Sequence, residues 1–98
     1  MADHLADLLD NVVDQPSFLS FIDALANDFA MDRNAEASNP SPAYGASALG
    51  WENVTVDAFL DAAHAWGTST LGRHEFDRPG ISPWRRCAEI LYAGKVYE

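Results

Sequence analysis

The sequence predicts an all-α fold: a compact single domain over residues 1–98, built of about four helices, with one long ordered loop between the second and third. Three observations predict it. Apolar residues recur at steps of three and four in four separate stretches. Capping residues or prolines stand where the later three stretches begin. No pair of alternating runs is joined by a hairpin turn, and no repeat is visible. With 98 residues, 48% of them hydrophobic, the chain suits one modest core.

The first helix is predicted over Ala2–Val13, where Leu5, Leu8, Leu9, Val12 and Val13 share one side and Asp3, Asp7 and Asp10 the other. Asp14-Gln15-Pro16-Ser17 restarts the chain, with Asp14 as cap and Pro16 in the first turn. The second helix then carries Phe18, Phe21, Ile22, Leu25 and Phe29 and runs to about Glu36. Ser38–Asn53, "SNPSPAYGASALGWEN", excludes regular structure through its prolines and glycines. Connections this long within a domain are uncommon. Tyr44, Leu49 and Trp51 are expected to anchor it across the helices, with Gly50 supplying a positive φ before Trp51.

Thr55 caps the third helix, whose buried side is expected to hold Val56, Phe59, Leu60, Ala63 and Trp66. After a second loop over Leu71–Ile81, Ser82-Pro83 opens the fourth helix, with Trp84, Cys87, Ala88 and Leu91 on one face. Gly94 is expected to end it in the left-handed conformation, with Val96 and Tyr97 packing back.

Charge narrows the function classes. The net charge is -9, and it is uneven: residues 1–61 carry -10 and residues 62–98 carry +1. An acidic front repels phosphate backbones, so nucleic acid is not an expected partner, and a basic protein is. The N-terminus lacks a basic, apolar leader pattern, no apolar run reaches membrane-spanning length, and Cys87 is the only cysteine. The expectation is a cytoplasmic protein without membrane contact.

Catalytic chemistry finds little support. His4, His64 and His74 are not spaced as a pair, Cys87 has no second cysteine, and no phosphate-loop or calcium-loop spacing occurs. Asp61 and His64 stand at i,i+3, a spacing more typical of a surface hydrogen bond than of a base and its orienter. The reading is therefore not an enzyme, with no metal and no cofactor. Arg85 and Arg86 are expected to pair with acids of the first helices.

Two stretches, "NPSPAYGASALGWENVTVDAFLDAAHAW" (Asn39–Trp66) and "PWRRCAEILYAGKVYE" (Pro83–Glu98), resemble a family of small bacterial proteins known only as a domain of unknown function. The shared pattern is a Tyr-Gly turn, Gly-Trp-Glu-Asn, a Phe-Leu-x-Ala-x-x-x-Trp helix and an ending like Ala-Gly-Lys-x-Tyr-Glu. Here these are Tyr44-Gly45, Gly50–Asn53, Phe59–Trp66 and Ala93–Glu98. The resemblance implies no activity and no catalytic residue.

The leading expectation is a non-enzymatic acidic protein-binding module, of the kind an immunity-type inhibitor of a basic bacterial toxin would be. Its partner-binding residues are expected to be Asp7, Asp10, Asp28, Asp32 and Glu52, with Tyr44 and Trp51 as aromatic anchors. Two alternatives stand beside it. One is a self-associating structural or accessory protein. The other is a small-ligand binder or enzyme with a pocket under residues 38–53, lined by Glu52, Asn53, His64 and Trp66.

Overall fold

A computed structural model describes residues 4–40, 47–73 and 80–97. It contains four helices: α1 (His4–Asp10), α2 (Gln15–Ser38), α3 (Val56–Ser69) and α4 (Pro83–Val96). The all-α class and the helix count are those expected. Most helix ends within the described residues have a local cause. Asn11 donates its side-chain amide to the Asp7 carbonyl at 2.8 Å, which takes up a free acceptor and stops α1 before Val13. Asp14 and Ser17 form a reciprocal capping box at the start of α2, and Pro16 occupies the first turn. Asn39, just before Pro40, closes that helix on the Ala35 carbonyl. Thr55 and Ser82 accept from the backbone amides of Ala58 and Trp84 to start α3 and α4.

Helix α4 is the hub. It packs against each of the other three helices, and α1 packs on α2. Among the described residues α3 has a close backbone approach to α4 alone. The core therefore lies along α4: Leu5, Val12, Phe21, Leu25, Trp51 and Ala88 are buried, with Phe18, Phe29, Phe59, Leu91 and Tyr92 packed around them. Small residues let α3 and α4 come near. Ala62, Ala63, Ala88 and Ala93 are all buried. A methyl group at Gly94 would lie 2.8 Å from a Phe59 ring carbon and 3.0 Å from the Phe59 carbonyl oxygen.

Four expectations change on this geometry. Gly94 does not end α4 in a left-handed turn; the helix continues to Val96, and glycine is needed there for contact with Phe59. Val96 does not pack back and is exposed. Val56 and Leu60 do not face the core; they are 76% and 55% exposed, because α2 and α3 do not close on each other. Ile22 is likewise exposed, so the buried stripe of α2 narrows to Phe21 and Leu25 and continues, unexpectedly, to Asp32.

Gly94→Ala should lower stability by about 1–3 kcal/mol through overpacking, although alanine is the better helix former. The urea midpoint measures this. A higher midpoint in the variant would mean that α3 moves aside freely.

Candidate functional site

The Gly50–Asn53 stretch is positioned by α2 and α4 together. Gly50 has φ +87°, the left-handed conformation expected of it, and turns the chain inward. The Trp51 ring is thereby buried, 4.8 Å from the Phe29 ring in an edge-on contact and 6.0 Å from that of Phe59. Its indole N–H donates to Asp28 Oδ2 at 2.8 Å. Lys95, reaching back from α4, donates to the same oxygen at 3.0 Å and lies 5.7 Å from the Trp51 ring centroid. One carboxylate thus holds a loop and a helix at once.

The next two residues cap α4. The Glu52 and Asn53 amides donate to the Lys95 carbonyl at 3.0 and 3.3 Å. The Asn53 side-chain amide donates to the carbonyls of Gly94 and Tyr97, both at 2.9 Å. These satisfy carbonyls that a helix end leaves open. Gly-Trp-Glu-Asn and Ala-Gly-Lys, far apart in sequence, are therefore two sides of one joint.

Upstream, Asp32 does similar work. Its Oδ1 accepts from the Ser47 hydroxyl at 2.7 Å and the Leu49 amide at 2.8 Å, and its Oδ2 accepts from the Arg33 guanidinium. Burial on its own would push this carboxyl's pKa up; the bonds from Ser47, Leu49 and Arg33 outweigh it and hold the pKa below the usual carboxylate value. Glu36 adds a bond from the Ala48 amide at 2.6 Å.

Beside this joint an apolar groove of about 430 Å³ runs between α2 and α3. Ile22, Leu25, Ala26 and Phe29 line one wall, and Val56, Phe59 and Leu60 the other. Trp51 and Leu91 also line it, while Val54, Asn53 and Thr55 complete it along the loop. The carboxylates of Asp23, Glu52, Asp57 and Asp61 adjoin lining residues in the chain, and all four residues are exposed. None of these four is in an ion pair among the described residues. The cations of this region, Arg33 and Lys95, are committed to Asp32 and Asp28.

A second cleft, of about 450 Å³, lies on the other side of α4 and is lined by Leu9, Trp66, Glu89, Tyr92, Val96 and their neighbours. It is internally balanced: Arg86 stacks over the Trp66 ring at 5.1 Å, and Arg85 pairs with Glu89 at 3.2 Å and Asp10 at 3.1 Å. Two buried atoms there, Arg86 Nη1 and Glu89 Oε1, have no hydrogen-bond partner among the described residues.

The expected partner-binding residues are thus dispersed. Asp7 and Glu52 are exposed. Asp10 is exposed and engaged by Arg85, as expected of the basic doublet, whereas Arg86 donates to the Gly67 carbonyl at 3.0 Å and not to an acid of the first helices. Asp28 is partly buried in the joint. Asp32, at 0% exposure, cannot face a partner in the folded chain; its carboxylate holds the loop instead. Trp51 is buried and acts as a staple, not a rim anchor. Tyr44 lies outside the described residues. The four residues expected to line one pocket also separate: Asn53 lines the groove, Trp66 the second cleft, and Glu52 and His64 line neither. Sequence reasoning missed Lys95, whose basic side chain near a helix C-terminus reads as surface, and the exposure of Val56 and Leu60, whose periodicity reads as core.

Two outcomes test the joint. Removing Asp28 and Lys95 singly and together (Asp28→Asn, Lys95→Met) should show a coupling of about 0.5–3 kcal/mol in urea unfolding; additive losses would mean the pair is decorative. The depressed Asp32 pKa stabilises the fold above the unfolded-state carboxylate value, and that contribution disappears as pH falls through the folded-state value. The Ser17 hydroxyl at Asp14 and the Thr55 hydroxyl at Asp57 lower those two in the same direction. Stability should therefore fall below about pH 4, and Asp32→Asn should be less stable at neutral pH with a shallower acid limb. An unchanged limb would remove Asp32 from the account.

No curated protein matches the chain, and no solved structure matches it. A family model does, over residues 14–98, which spans α2, the loop, α3 and α4. The chain belongs to that family, described as a family of unknown function (DUF7660).

Proposed function

We propose that this chain is a non-enzymatic, acidic protein-binding module that takes a basic protein partner on the groove between α2 and α3. The observation that carries this reading is the combination of an open apolar groove with exposed acids that stand next in the chain to its lining residues and are in no ion pair among the described residues. Contiguous exposed apolar surface rimmed by polar groups marks interaction sites. Here Val56, Leu60, Val54 and Ile22 supply such surface beside Asp23, Glu52, Asp57 and Asp61. Buried apolar contact would supply affinity, and the acids would speed encounter with a cationic partner and reject anionic ones.

The same charge argues against the groove as a self-association face, because two copies would each bring a chain of charge -9. The second cleft is a weaker candidate for a basic partner, because two of its lining residues, Glu89 and Trp66, are already engaged by Arg85 and Arg86. An immunity-type inhibitor of a basic toxin would use a surface in this way: its carboxylates would cover cations that the toxin needs for its own substrate.

The test is affinity capture from lysate of the source organism with three baits: wild type, Leu60→Gln, and the neutralised Asp23→Asn/Glu52→Gln/Asp61→Asn. The expected result is a stoichiometric basic protein held by the wild type, weakened by added salt, and lost from both variants. A partner retained equally by all three baits would sink the reading, and a mass that rises with concentration would favour self-association.

A further inference from the structure

The groove has a chemistry that restricts what can lie in it. Its polar lining residues are Asn53 and Thr55, and both side chains are already engaged. Asn53 donates to the Gly94 and Tyr97 carbonyls, and the Thr55 hydroxyl accepts from the Ala58 amide. An extended segment placed there would bring a row of backbone N–H and C=O groups against apolar walls, with no ladder to receive them. Among the described residues there is no strand, so no sheet edge offers such a ladder. A polyproline segment would need well-exposed aromatic rings, whereas of the lining aromatics Trp51 is buried and Phe29 and Phe59 are half-buried. An occupant of this groove must satisfy its own backbone, as a helix does.

The walls have helical spacing as well. Ile22, Leu25, Ala26 and Phe29 stand at i, i+3, i+4 and i+7 on α2, a stripe about 10 Å long. Val56, Phe59 and Leu60 repeat the start of that spacing on α3. Two such ridges, kept apart because both helices rest on α4, form the seat into which a third set of side chains packs. Asp23, Glu52 and Asp61, exposed and in no ion pair among the described residues, then set the sign of the flanks, and Asp57 adds to it although its carboxylate already accepts from Thr55 and Ala58.

Resting on the protein-binding reading above, we infer that the α2–α3 groove is the receptor for a single amphipathic helix of the basic partner, apolar residues inward and lysines or arginines against the four carboxylates. The helix adds the packing layer that α2 and α3 lack toward each other. Its apolar anchors recur at i, i+3, i+4 and i+7, in register with the stripe on α2.

The probe is a synthetic peptide of about 18 residues, roughly five helical turns, with leucines at that spacing and lysines elsewhere. It is compared with a control peptide; probe and control each carry one proline, at the first position in the probe and at the centre in the control, so charge and apolar content match and only the control's helix is broken. Calorimetry at low salt reads affinity, and circular dichroism reads helix gained on mixing with the intact protein. The expected result is saturable binding of the first peptide with gain of helix, weakened roughly tenfold or more by the central proline. The exposed-site variants Val56→Gln and Leu60→Gln should weaken it similarly, while Asp7→Asn, away from the groove, should not. Equal binding of both peptides, insensitive to Val56 and Leu60, would overturn the helix inference and leave the basic-partner reading standing. No binding of either peptide would overturn both.

Discussion

The Asp28 carboxylate bonds the Trp51 indole and the Lys95 ammonium on one oxygen, and the rest of the structure depends on that arrangement. Helix α4 touches every other helix, so whatever fixes its C-terminal end fixes the bundle. The loop does this twice over. Trp51 fills the space between Phe29 and Phe59, and the residues that follow it cap the carbonyls of Gly94, Lys95 and Tyr97. Buried charge is costly unless paired and hydrogen-bonded. Both conditions are met at Lys95, which has a carboxylate at 3.0 Å and an aromatic face beside it.

A consequence of this joint is the groove. Because the loop, and not α3, covers the end of α2, the two helices are held apart on a common floor. The chain keeps apolar side chains on both exposed shoulders, where a self-contained bundle would place polar ones. Meanwhile the acids of α2 divide between two kinds of work. Asp28 and Asp32 point to the loop and hold it, while Asp23, next in the chain to the groove residue Ile22, is exposed. The acidity of the N-terminal part is thus partly architectural and partly exposed to solvent.

Much of the fold was legible in local chemistry. Asp14 with Pro16, Thr55, and Ser82 with Pro83 announced three helix starts, because N-capping depends on residues within one turn. Gly50 announced its positive φ, and Trp51 its role as a staple, since a large aromatic in a loop of a small protein has little else to bury against. The candidate site was much less legible. Asp28 and Asp32 read as solvent-facing acids, because charge alone does not reveal a partner that lies 67 or 15 residues away in the chain. Val56 and Leu60 read as core, because helical period identifies an apolar face and not what covers it.

The sequence by itself determined that the chain is all-α, that it has about four helices, three of them with specified starts, that the loop before α3 is anchored by Trp51, and that the charge is strongly negative. These follow from spacing, caps and composition, all local quantities. Only the tertiary structure decided that Gly94 is a contact glycine and not a helix stop, that Asp32 is wholly buried, that Lys95 closes the joint, and that an apolar groove stays open between α2 and α3. Each of these depends on which elements approach each other and how closely, and that is set by packing along α4, not by any single stretch of the chain.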